Sequence, residues 1–117
     1  MLLRDKDRKT LVDLFSSVEV PIEVWAYGSR VSRTAHDGSD LDLAIRSKNL
    51  QKLPPDVLSE IKRRVRESNI PIVVELFDWA RLPETFHCNI KAHYEVLFSS
   101  GEMTANEPPS EYRIKEK

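Results

Sequence analysis

Apolar and polar residues along this chain fall into two periods, and the switches between them mark the elements. Leu11, Leu14, Phe15 and Val18 recur at i, i+3, i+4 and i+7, the stripe of an amphipathic helix. They predict a helix over residues 5–18, with Asp5 or Asp7 as its cap, ended by Pro21. Ile22, Val24 and Ala26 then alternate with Glu23, Trp25 and Tyr27, the period of a strand, running into Gly28. A short helix is expected from about Arg30 to Ala35. Alternation resumes over Asp40-Leu41-Asp42-Leu43-Ala44-Ile45 as a second strand. Pro54-Pro55-Asp56 starts another helix, with Asp56 as N-cap. Its apolar face is Val57, Leu58, Ile61 and Val65, and Lys62, Arg63, Arg64 and Arg66 fill most of the remainder as a solvated side. Ile70 to Asp78 is a third strand, whose near-continuous apolar content predicts a central place. Pro83-Glu84 opens a last helix with Phe86, Ile90 and Tyr94 on one side. Val96-Leu97-Phe98 closes the pattern as a short strand or a helix end. Residues 1–100 are expected to form one domain. Residues 101–117, with Pro108-Pro109, many charges and little apolar content, are expected to be a flexible tail, with Tyr112 and Ile114 as its candidate anchors on a partner.

Composition narrows the class. A chain of 117 residues, 40% hydrophobic and 32% charged, suits one soluble globular domain with one core. The 18 basic and 19 acidic side chains leave a net charge of −1. That supplies no general pull towards nucleic acid, so no direct nucleic-acid partner is expected. Cys88 is the one cysteine, which excludes an intramolecular disulfide and a Cys-based zinc site; it reads as a half-buried small side chain. No apolar run approaches 18 residues and the first residues are charged, so neither a membrane span nor a signal peptide is expected. A cytoplasmic location follows by default.

The candidate chemistry lies between Trp25 and Ile45. Residues i and i+2 of a strand share a face, roughly 6.6 Å apart along the chain. Asp40 and Asp42 therefore stand side by side, with Leu41 and Leu43 turned into a core. Two ionised carboxylates that close repel unless a cation lies between them, and Mg²⁺ takes one or two carboxylates together with substrate phosphates. An isolated D-x-D pair is equally the polar face of an edge strand. Gly28 permits a tight turn and close approach of a ligand to the backbone. Ser29 sits where a helix begins, and a helix N-terminus is a natural phosphate site; alone, the pair is an ordinary turn with an N-cap serine. Arg30 and Arg33 lie near enough to balance phosphate charge, or form a solvated face. His36 has no second ligand at metal spacing and reads as surface. Glu75 interrupts the apolar third strand, and an unpaired acid in such a setting costs several kcal/mol, so it should face solvent, a cation or a metal. Asp78, at the end of that strand, is the competing acid and needs no special reason there.

Together these residues resemble the minimal nucleotidyltransferases of the DNA polymerase β superfamily, whose signature is G-S-x₁₀-D-x-D. Gly28, Ser29, Asp40 and Asp42 match that spacing without a gap. Arg33-Thr34-Ala35 and the Ser39-Asp40-Leu41-Asp42-Leu43-Ala44 run also look like this family, and the resemblance covers roughly residues 10 to 100. It implies an α/β (α+β) polymerase β-like fold: a short mixed sheet backed by helices on one face, with the acids on the open face. It also implies a third carboxylate on the strand beside the D-x-D strand, commonly Asp; Glu75 falls at that place and is one methylene longer.

The activity implied is Mg²⁺-dependent nucleotidyl transfer. Gly28, Ser29 and Arg30 would bind the nucleotide, and Asp40, Asp42 and Glu75 would serve as catalytic residues and ligands of two Mg²⁺ ions. Small members of this kind are typically encoded with a HEPN-domain ribonuclease toxin and act as its antitoxin. The resemblance therefore implies ATP as donor, a tyrosine hydroxyl of the toxin as acceptor, AMPylation as the outcome and a hetero-oligomer as the assembly. Since the chain has no room for a second substrate-holding domain, the partner would complete the cleft. Two alternatives stand beside this: an antitoxin that blocks its toxin sterically, and a transferase acting on a small molecule.

Overall fold

The computed structural model describes residues 2–32 and 40–100. Arg33, His36, Tyr112, Ile114 and the expected tail lie outside them. Helix α1 spans Asp5–Ser16 and strand β1 Ile22–Tyr27; a single helical turn, α2, covers Ser29–Ser32. Strand β2 is Leu41–Ser47, helix α3 Pro55–Glu67, strand β3 Val74–Asp78, helix α4 Glu84–Ala92 and strand β4 Tyr94–Ser99. Short 3-10 turns at Lys48–Leu50 and Trp79–Arg81 follow β2 and β3.

The sheet is mixed, as expected, with strand order β3-β2-β1-β4. β1 runs antiparallel to both β2 and β4, and β2 runs parallel to β3. One face carries Ile22, Val24 and Ala26 of β1, Leu41, Leu43 and Ile45 of β2, Leu76 of β3 and Leu97 of β4. Leu11 and Phe15 of α1 and Ile61 and Val65 of α3 cover that face and complete the core. Burying an aliphatic or aromatic side chain of this kind is worth about 1.5–3 kcal/mol, so these alternating positions fix the register of every strand.

The opposite face is not wholly open. Trp25, Ala44, Trp79 and Ile90 form a second cluster on it, so α4 and the turn after β3 roof one end. Beneath them Arg46 is 1% exposed. Its guanidinium lies 4.0 Å from the Trp25 ring centre and 4.9 Å from that of Trp79, and it donates to Glu23 at 2.9 Å. Delocalised charge held between aromatic faces and a carboxylate is a setting that suits arginine.

Several local expectations are corrected. Arg4, not an aspartate, occupies the N-cap of α1. Asp7 is buried inside the helix and accepts from the Arg4 side chain at 2.9 Å. Asp56 lies in the first turn of α3, behind Pro54 at the cap and Pro55 as the first helical residue, where a missing N–H costs nothing. The third strand is short and lies at the sheet's edge, not its centre. Ile70 and Ile72 pack against the core from irregular backbone, while Val73 is 58% exposed. Tyr94 belongs to β4, because extended backbone at His93 ends α4. Cys88 is exposed.

Candidate active site

The turn at Gly28 and the acid at Asp42 meet. Gly28 adopts φ +85°, a left-handed conformation that side-chain-bearing residues rarely take. A Cβ built there would sit 2.5 Å from Asp42 Oδ2. Only a glycine lets the backbone lie against that carboxylate. Beyond the turn, the Val31 and Ser32 amides return to Gly28 O at 3.1 and 3.0 Å. The first amides of a helix have no carbonyl within it to bond, and Ser29 stands at that start.

Pairing sets the acids in a row. Tyr27 is opposite Asp42 across β1 and β2, and Asp42 is opposite Glu75 across β2 and β3. Neighbouring strands are about 4.8 Å apart, so the three residues cross the sheet in line on one face. Asp40 immediately precedes β2 and is exposed, Asp42 is half-buried and Glu75 is exposed. Burial raises the Asp42 carboxyl above its ordinary range, and the charges of Asp40 and Glu75 raise it further. The Tyr27 phenol is pushed up to about 12, again by burial first and then by Asp42 and Glu75. Negative charge is therefore concentrated where a cation would relieve it.

As the side chains stand, no three His, Cys, Asp or Glu residues among the described residues form a metal cage of their own. The donors present fit an ion shared with phosphate oxygens, which is how Mg²⁺ is usually held. The expected site residues divide accordingly. Gly28, Asp40, Asp42 and Glu75 are brought to one end of one face. Arg30 is buried and donates from Nη1 to Leu2 O at 2.7 Å, while the Leu2 amide donates to Arg30 O at 2.9 Å; its side chain steadies α2 against the N-terminal segment. Asp78 is buried and accepts from the Leu53 amide and Arg81 Nε at 2.9 and 3.0 Å.

Residues 9–103 match the family model described as "Polymerase beta, Nucleotidyltransferase". This chain belongs to the polymerase β nucleotidyltransferase family. The nucleotidyltransferase is 41% identical over 87 residues to the "Probable protein adenylyltransferase MntA" of Haemophilus influenzae, a match covering 73% of this chain and 72% of that one. It also shares its fold with a chain of the solved "Crystal structure of the toxin-antitoxin with AMP-PNP", with a TM-score of 0.66 and 16% identity over 82% of this chain and 76% of that one.

Two features of this candidate site escaped the sequence reading. Tyr27 stands in the row with Asp42 and Glu75. Its signal was available, since it precedes Gly28 and alternates onto the face opposite Ala26. A cleft of about 340 Å³ also opens beside the turn, lined by Tyr27, Gly28 and Ser32 on one side and by Phe86, Asn89, Ile90 and His93 on the other. It joins β1 and α2 to α4, and no local pattern announces a cleft between elements so far apart in the chain.

Proposed function

We propose that this nucleotidyltransferase is an antitoxin that transfers AMP from ATP to a tyrosine hydroxyl of a HEPN-domain ribonuclease and thereby silences it. The observation that carries the reading is the contact between the Gly28 turn and the Asp42 carboxylate, with Asp40 and Glu75 close enough to act on Asp42 electrostatically. The relative named as a protein adenylyltransferase supports AMP as the group moved. The toxin–antitoxin structure with an ATP analogue supports a toxin as partner through likeness of fold. A protein that spends ATP on such a partner works in the cytoplasm.

In this reading the Gly28-Ser29 turn and the amides after it hold the β- and γ-phosphates, with the Ser29 hydroxyl as a further donor. Arg30 keeps α2 in place. Asp40 and Asp42 would hold Mg²⁺ with the triphosphate, and Glu75 would contribute to a second ion; bound there, the ions offset charge on the attacking and leaving oxygens. The acceptor hydroxyl attacks the α-phosphorus in line. A bond forms from that hydroxyl oxygen to the α-phosphorus, and the bond from the α-phosphorus to the bridging oxygen breaks. Pyrophosphate leaves with the electron pair. Glu75, exposed beside Asp42, takes the hydroxyl proton. The toxin completes the cleft from the side that α4 does not roof.

A second reading rests on Glu75, one methylene longer than the Asp common at that place: an antitoxin that acts by binding alone. One experiment separates them. The protein is incubated with labelled ATP, Mg²⁺ and the partner toxin, and the toxin's intact mass is measured. A gain of one AMP that disappears with Asp40→Asn supports transfer. An unchanged mass, with complex formation and protection intact, establishes steric inhibition instead.

A further inference from the structure

We infer that the cleft between the Gly28 turn and α4 is the subsite for the base of the donor nucleotide, with Phe86 stacking on the ring and Asn89 reading its edge. This rests on the nucleotidyl-transfer reading above and names what that reading leaves open, the residues that choose the base.

Phe86, Asn89, Ile90 and His93 follow one another at i, i+3, i+4 and i+7, so they form one stripe of α4 running onto its C-cap. Ile90 is 2% exposed and roots the stripe in the Trp25–Trp79 cluster. Phe86 is 49% exposed, an aromatic ring that the packing of the domain leaves largely uncovered. It lines the same cleft as Gly28 and Tyr27, so a triphosphate seated on the Gly28-Ser29 turn has its nucleoside beside this wall. The volume of about 340 Å³ lies within the range of small-ligand pockets.

The chemistry of the wall selects among bases. An aromatic ring stacks on any base, with a larger gain for the larger purine face. Asn89 is exposed and carries one carbonyl acceptor and one amide donor side by side. That pair matches the donor and acceptor on one edge of adenine, whereas guanine offers two acceptors on the corresponding edge. The wall therefore suits adenine over guanine, and purines over pyrimidines.

The test uses the full chain with Mg²⁺ and titration calorimetry, comparing ATP, GTP, CTP and UTP with inorganic tripolyphosphate. Phe86→Ala is expected to weaken ATP about 10-fold or more and to leave tripolyphosphate unchanged. Phe86→Trp is expected to restore ATP. Asn89→Ala is expected to lower the ratio of ATP to GTP affinity with little effect on tripolyphosphate. If wild-type protein binds ATP and the Phe86 and Asn89 variants bind it equally well, the subsite lies elsewhere and the inference falls while the transfer reading stands. If Phe86→Ala keeps its ATP affinity but loses the toxin, the ring is an interface residue and the inference is overturned. If wild-type protein binds neither ATP nor tripolyphosphate, alone or with its toxin, the transfer reading fails and takes this inference with it.

Discussion

The two faces of the sheet treat acidic side chains in opposite ways. On the helix-covered face Asp78 is buried among apolar neighbours, and the Leu53 amide, the Ala80 amide and Arg81 all donate to it. On the other face burial, and then the like charges of Asp40 and Glu75, raise the pKa of Asp42. A carboxylate given donors ties β3 and the turn after it to the segment before α3. A carboxylate given more carboxylates makes the fold less stable, and that is tolerable where a cation and a charged substrate are to arrive. The same side chain therefore acts as a structural tie on one face and stands among like charges on the other.

The sharpest way to break this contrast is Asp42→Asn. Nucleotidyl transfer is expected to fall on the order of 10²–10³-fold or more, measured by AMP incorporation. Stability should not fall with it. Because its pKa is raised in the folded state, Asp42 holds its proton more tightly folded than unfolded, so its charge opposes folding at neutral pH and the penalty lifts as pH drops through the raised value. The variant should melt at the same temperature as wild type or higher at neutral pH, and the gap should close in acid. A clear loss of melting temperature would put Asp42 in the structural class with Asp78.

Asp78→Ala is the converse. It strands a buried amide and a guanidinium, and should cost about 2–4 kcal/mol in urea unfolding while reducing activity only through loss of folded protein. Gly28→Ala tests the junction between turn and acid. A positive φ costs an alanine about 1–2 kcal/mol, and the added Cβ would push Asp42 aside. Activity should collapse further than this modest destabilisation explains, as read by comparing specific activity per folded molecule.

The smallest effect is spectroscopic. Tyr27, one of three tyrosines, should ionise near pH 12 in the folded state, well above the ordinary phenol value of about 10. Its raised value means that stability is retained below pH 10 and is lost as pH rises from there through 12. An absorbance titration of phenolate should show a step near pH 12 that Tyr27→Phe removes, and Glu75→Gln should bring that step earlier.

What was legible in the sequence follows from distance along the chain. The period of two over Ile22–Tyr27 and over Leu41–Ile45 is a local signal, so both strands and their buried faces could be read directly. Gly28 was legible as a turn, but its contact with Asp42 depends on β1–β2 pairing. The apolar run before Asp78 was misread as a central strand, because Ile70 and Ile72, half-buried against the core from irregular backbone, give the same apolar pattern as a strand covered on both sides. Asp78 drew no structural role in the sequence because its partner Leu53 lies 25 residues away in the chain. The roof of α4 over the second face was invisible for the same reason: Trp25 and Trp79 meet only once the sheet has formed.

The reciprocal bonds between Leu2 and Arg30 have a practical corollary. The backbone at Leu2 is stitched to the helical turn that begins with Ser29, so anything fused ahead of Leu2 pulls on the turn that carries Gly28. Affinity handles belong at the carboxyl end, and a preparation tagged at the front should be compared with a cleaved one before a weak activity is ascribed to the enzyme.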